Sequence, residues 1–112
     1  MDNSSVLKSS AGYIVVSNRS RLMLNRKVFL EGKIDNETAC DIIRRIMILV
    51  YEDDSAPIDL LINSPGGEWC AGLLIYDAIQ TSPVPIRLFC FGRAYSMAAI
   101  LFASGNHGRF LY

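Results

Sequence analysis

Ser96 stands at a junction. The apolar run from Ile86 to Phe91 reads as a strand, gives way through Gly92-Arg93-Ala94-Tyr95, and is followed by a helical run opening Met97-Ala98-Ala99. A hydroxyl just past a buried strand and at the start of a helix sits in an electropositive, half-exposed place, where a nucleophile can be activated and an oxyanion held. Ser64-Pro65-Gly66-Gly67 lies at an earlier junction of the same kind. Acyl transfer needs a nucleophile and donors for the developing oxyanion. Gly67 lets one backbone N–H approach a substrate closely, Met97 supplies another, and Pro65 stiffens the loop. Spacing alone leaves a plainer reading ahead, since Ser-Pro-Gly-Gly is also an ordinary turn and serine a common helix N-cap.

These loops need elements to hold them. Val28-Phe29-Leu30, ended by Glu31-Gly32, reads as a strand. Asp35 then offers an N-cap for a helix with Ala39, Ile42, Ile43, Ile46, Met47 and Val50 on one face. Asp53 to Pro57 breaks that helix, and Ile58 to Ile62 follows as a strand whose near-continuous apolar character, interrupted by Asp59, suits burial on both faces of a parallel sheet. A helix from about Trp69 to Thr81 turns Leu74, Ile75, Ala78 and Ile79 inward, and Pro83 and Pro85 close it. The helix from Ser96 to Ser104 is expected to end on a left-handed Gly105, and Phe110-Leu111-Tyr112 begins another strand. Strand and helix alternate, so the sheet should be mostly parallel, with functional loops gathered at the carboxyl ends of its strands. Residues 1–20 are polar and serine-rich and read as an N-terminal arm, mobile until it meets a partner, ahead of the α/β unit over residues 21–112.

Composition narrows the function classes. The chain has 112 residues, 51% of them hydrophobic, with a mean hydropathy of +0.26, which makes it one globular domain at most. Eleven Lys and Arg balance eleven Asp and Glu, which implies no basic face for nucleic acid or an anionic membrane and favours self-association. Arg87, Gly92 and Arg93 interrupt the most apolar stretch, arguing against a membrane span, and the first residues lack a basic segment and an apolar signal core. Cys40, Cys70 and Cys90 are odd in number and lack C-x-x-C spacing, so neither a disulfide framework nor a zinc site is expected; a reducing, cytoplasmic setting fits. Cys70 and Cys90 read as small buried hydrophobes.

Longer segments carry a resemblance. Ile62-Asn63-Ser64-Pro65-Gly66-Gly67, then Ala71-Gly72 and Ile75-Tyr76-Asp77, resembles the strand, loop and helix signature of the proteolytic subunit of the Clp protease (ClpP) family. Phe91-Gly92-Arg93-Ala94-Tyr95-Ser96-Met97-Ala98-Ala99 is similar to that family's nucleophile segment, and Ser20-Arg21-Leu22 through Val28-Phe29-Leu30 and Gly32 to its first strand and approach. The match runs in register over about residues 20–112. It implies a ClpP/crotonase-type α/β spiral of strand-helix units, with Ser96 as the acylating nucleophile and Gly67 and Met97 as backbone oxyanion donors. It also implies a homo-oligomer of two stacked seven-membered rings, fed unfolded polypeptide by an AAA+ unfoldase. No cofactor is implied for this chain, because ATP is used by the unfoldase.

The pattern also breaks. The family's general-base histidine and its aspartate lie beyond the segments present here, so the chain as given should be nearly inert, and it reads as a fragment of a longer active subunit. His107 lies in a turn beyond the far end of the Ser96 helix, which suits a solvated loop histidine better than a base. Tyr95 stands where the family has a small residue, Ala98 where it has glycine, and Glu68, Trp69 and Cys70 where it has smaller, less charged ones. Tyr95 narrows the cleft or packs inward, and Trp69 suits packing better than a peptide groove. Two rival readings stay open: a non-catalytic ring subunit that modulates an active paralogue, and a crotonase-type enzyme holding acyl-CoA thioesters through the same paired amides.

Overall fold

The computed structural model describes residues 4–9, 12–105 and 107–111. The expected last strand therefore loses Tyr112, which lies outside the described residues. In chain order the elements are β1 (Ser4–Ser9), β2 (Gly12–Ser17), α1 (Asn18–Leu24), β3 (Lys27–Glu31), α2 (Asn36–Glu52), β4 (Ile58–Ser64), α3 (Trp69–Thr81), β5 (Ile86–Ala94), α4 (Met97–Ala103) and β6 (Arg109–Leu111).

Four strands, in the order β3-β4-β5-β6, form a sheet in which every pairing is parallel. This is the mixed α/β architecture with a mostly parallel sheet that the alternating pattern requires. One face of the sheet is dry: Val28, Leu30, Ile58, Leu60, Ile62, Ile86 and Leu88 are all buried against α2, α3 and α4. The other face is only half covered. Phe29, Leu61, Phe89 and Phe110 stand in register across all four strands at intermediate or greater exposure, and the rings of Phe89 and Phe110 stack at 4.8 Å. The apolar run of β4 thus overstates burial. Its interruption has a reason: Asp59 is buried between Lys27 on β3, at 2.8 Å, and Arg87 on β5, at 2.6 Å.

Local chemistry sets the helices. Asp35 caps α2 as its position suggested, its Oδ1 accepting the Thr38 N–H at 2.8 Å. The buried face of α2 is Ala39, Ile42, Ile46 and Leu49; Met47, read as inward, is 65% exposed. The 3.6-residue period carries the stripe from Ile46 to Leu49 and leaves Met47 about 100° away from Ile46. In α3 the buried residues are Ala71, Gly72, Ile75 and Ile79, while Leu74, also read as inward, is exposed. Arg26, itself at φ 60°, closes the end of α2: its guanidinium donates to the carbonyls of Leu49, Asp53, Ala56 and Pro57 at 2.7–3.1 Å.

Gly105 does not end α4 in a left-handed turn. Its φ lies outside that region, and the glycine is needed because a Cβ there would stand 2.8 Å from Leu88 Cδ1 and 2.9 Å from Arg109 Cγ. Within the segment read as an arm, β1 and β2 pair as an antiparallel hairpin from Ser4↔Ser17 to Ser9↔Gly12. Ser17 then caps α1, its Oγ accepting the Ser20 N–H at 3.1 Å. Val6 and Val15 of the hairpin are exposed. Among the described residues no helix is long and apolar enough to cross a membrane.

Candidate functional site

The loops that follow β3, β4 and β5 meet at the carboxyl edge of the sheet. Gly32 N–H donates to the Asn63 carbonyl at 3.0 Å, and Ile34 then pairs with the glycine loop as one more parallel rung. Ile34 N–H donates to Gly66 O at 2.9 Å and Glu68 N–H to Ile34 O at 2.8 Å. In such a rung the intervening residue turns its own N–H outward. Gly67 is that residue, and its N–H has no acceptor among the described residues. Only glycine fits there, since a Cβ would run into the Ile34 carbonyl oxygen and lie 2.7 Å from Ile34 N.

The third loop leaves β5 through a bulge. The β4–β5 register passes from Ile62↔Cys90 to Ser64↔Ala94, with Gly92 at φ 78° inside the irregularity. After it, Tyr95 N–H donates to the Ser64 carbonyl at 3.0 Å, tying the two loops together. Ser96 follows at φ 54°, ψ −124°, a conformation that an L-residue with a side chain adopts at a cost of about 1–3 kcal/mol. Ser96 holds the N-cap position of α4, yet its hydroxyl makes no capping hydrogen bond. The plainer reading of this serine, as a helix cap, therefore fails. The residue is exposed, and Ser96 Oγ is available to a ligand.

Gly66 brings the loops into contact. A Cβ built on it would lie 2.8 Å from Ser96 Cβ and 3.1 Å from Met97 N, so its backbone passes directly beside the start of α4. The Met97 N–H also has no acceptor among the described residues, because the first helical hydrogen bonds are donated by Ala98 to Tyr95 O and by Ala99 to Ser96 O, each at 3.0 Å. Met97 is held from the far side as well: it is 3% exposed, and its side chain occupies the space that Gly72 of α3 leaves open. A hydroxyl and two unused amides on touching loops form an arrangement able to hold a carbonyl carbon and its oxygen together.

Reading the sequence singled out Ser96, Gly67 and Met97, and all three lie at this edge. It passed over three residues that build the edge. Ser64 is fully buried, its Oγ donating to the Gly32 carbonyl at 2.6 Å and accepting the Gly66 N–H at 3.0 Å. Gly66, at φ 95°, and Gly72 let the loops and helices close up. A serine two residues before a glycine, with proline between them, is the signal of a side-chain-closed turn that could have marked Ser64.

His107 is exposed in the bend between α4 and β6, beyond the end of α4 opposite Ser96. Tyr95 is 62% exposed, and Trp69, for which packing was the expectation, is 59% exposed. Cys90 is buried as expected, but Cys70 is exposed on the first turn of α3 because the inward stripe runs through Ala71 and Gly72. Among the described residues no cluster of His, Cys, Asp or Glu is placed to hold a metal ion.

Comparison with known proteins gives a consistent result. The family model described as Clp protease matches residues 10–112. The chain is 43% identical over 90 residues to the ATP-dependent Clp protease proteolytic subunit 1 of Borreliella burgdorferi, covering 80% of this chain and 46% of that protein. It is 42% identical, with the same coverage of 80% and 46%, to the ATP-dependent Clp protease proteolytic subunit of Borreliella afzelii. The chain thus spans about half the length of these relatives.

Proposed function

The chain belongs to the Clp protease family, and on that premise we propose that it carries the nucleophile half of a serine peptidase subunit. Ser96 Oγ attacks the carbonyl carbon of a peptide bond. Its proton passes to a general base, the C–N bond breaks with that proton leaving on the amine, and an acyl-enzyme remains on Ser96. Water then cleaves the ester. The N–H groups of Gly67 and Met97 hold the oxygen that becomes negative in each tetrahedral intermediate. The base and the aspartate that orients it belong to sequence after Tyr112, in keeping with the greater length of the relatives. The substrates are unfolded polypeptides, and the working form is a homo-oligomeric ring partnered by an AAA+ unfoldase that consumes the ATP, in the cytoplasm.

The observation that carries this reading is Ser96 itself: a strained backbone, an uncommitted hydroxyl, and Gly66 packed against it one residue before Gly67. A fluorophosphonate probe applied to the assembled full-length subunit should label Ser96, and Ser96→Ala should abolish both labelling and peptide hydrolysis while leaving the oligomer intact. An assembled wild type that is not labelled would sink the proposal and turn attention to a non-catalytic ring subunit. Thermal stabilisation by acyl-CoA, without peptide hydrolysis, would point to thioester chemistry.

A further inference from the structure

Ser64 and Asp59 are the fully buried polar side chains among the described residues. Asp59 is accounted for by its two cationic partners across the sheet. Ser64 has a different surrounding. A buried hydroxyl is costly unless both its donor and its acceptor capacity are used, and here both are spent on loops rather than on the sheet. Its O–H donates to the carbonyl of Gly32, which ends the β3 segment, and its oxygen accepts the N–H of Gly66. Its main-chain carbonyl accepts from Tyr95, the residue before Ser96. One residue therefore ties together all three loops that meet at the site.

We infer that Ser64 is a positioning residue that aims the Gly67 N–H at the substrate oxygen. This rests on the proposed acyl-transfer reading. The Gly67 N–H lies in the peptide plane joining Gly66 to Gly67, so its direction follows the torsions of Gly66. That glycine sits at φ 95°, a conformation it would leave readily without restraint. The plane is held at one end by the Ile34 N–H on Gly66 O, and the torsion feeding it is held by the Ser64 hydroxyl on Gly66 N. Removal of the hydroxyl frees the second restraint and leaves a buried N–H unpaired, which the loop relieves by rotating. The amide then swings away from the reacting oxygen, while the peptide groove is left in place.

The test uses the assembled full-length subunit carrying Ser64→Ala and Ser64→Thr. Ser64→Ala should lower kcat about 10- to 100-fold with KM within about twofold, the signature of an interaction made in the transition state alone. A peptidyl boronate, whose tetrahedral adduct uses the oxyanion amides, should lose at least about tenfold in affinity, whereas a product peptide should bind unchanged. Ser64→Thr, which keeps the hydroxyl, should recover most of the loss. A purely structural serine would lower the melting temperature without moving the ratio of boronate to product affinity, and that result overturns the inference. If Ser64→Ala does not assemble, Ser64→Cys keeps the shape with weaker hydrogen bonds and carries the same comparison. Wild type labelled at Ser96 together with an unchanged Ser64 variant removes this inference alone; an unlabelled wild type removes the reading beneath it too.

Discussion

The Cα of Gly66 faces Ser96 so closely that a Cβ on it would stand 2.8 Å from the Cβ of Ser96 and 2.7 Å from the Tyr95 carbonyl oxygen. Tyr95 O is committed backbone, since it accepts the first hydrogen bond of α4, so it has little room to retreat. The glycine loop and the nucleophile turn are therefore one packed unit, and the sequence distance between them is bridged without intervening side chains.

That contact makes Gly66→Ala a sharp test. The added methyl meets backbone, and the residue must keep φ 95°, where an L side chain is strained. The two effects together should cost roughly 2–4 kcal/mol. Denaturant midpoints should fall accordingly, and the rate of fluorophosphonate labelling at Ser96 should drop by more than about a hundredfold. A variant with unchanged labelling would mean that the two loops are not coupled in solution.

Ser96 should trade stability for its position. At φ 54°, ψ −124° only glycine is free of strain. Ser96→Gly and Ser96→Ala should both be inactive, but the glycine variant should be the more stable by about 1 kcal/mol. Thermal or urea unfolding at one protein concentration gives this difference. Equal stability of the two variants would show that the turn relaxes and that no strain is stored there.

Much of this organisation was legible in the sequence, and the boundary has a physical cause. Asp35 as a cap, the strands Val28–Leu30 and Ile58–Ile62, and the helix after the glycines follow from local hydrogen bonding and apolar period, which residues within one turn of each other decide. The junction at Ser96 was visible because a strand and a helix abut there. What stayed hidden is set by distant partners. Leu49 and Met47 differ by about 200° on the helix, yet both are apolar, and only the sheet beneath decides which is inside. Gly105 looked like a helix cap, but its lack of a Cβ serves Leu88 of β5 and Arg109 of β6. The clamp at Ser64 joins residues more than thirty positions apart in the chain, and no local pattern announces it.

Gly72 and Met97 should prove energetically coupled. A Cβ on Gly72 would lie 2.6 Å from Met97 Cε and 2.8 Å from Sδ, in a site where Met97 is 3% exposed. Overpacking by Gly72→Ala should cost about 1–3 kcal/mol, and the cavity left by Met97→Ala about 2–5 kcal/mol. In the double variant the new methyl fills part of that cavity, so the combined loss should fall short of the sum by at least about 1 kcal/mol. A double-mutant cycle from urea unfolding measures it, and simple additivity would show that α3 and α4 do not pack as described.

Asp59 should give the fold part of its acid sensitivity. Burial pushes its carboxyl up, but hydrogen bonds from Arg87 and Lys27, with their charges, more than offset this and hold it below the ordinary carboxylate range. A group whose native pKa is depressed binds fewer protons folded than unfolded, so its stabilisation is complete above the unfolded value, near pH 4, and is lost as pH falls through the native one. Asp35 and Asp53 are lowered too, each by backbone N–H donors, so the parent alone cannot isolate Asp59. The difference between parent and Asp59→Asn does. Lys27 and Arg87 side chains are 39% and 42% exposed, and water screens both, so the asparagine should cost only about 1–2 kcal/mol at pH 7. That gap should narrow as pH drops below about 4. Urea midpoints across pH 3–7 at fixed salt and protein concentration give the curve, and a gap that is constant with pH would mean that the lost hydrogen bonds, not the charge of Asp59, account for its contribution.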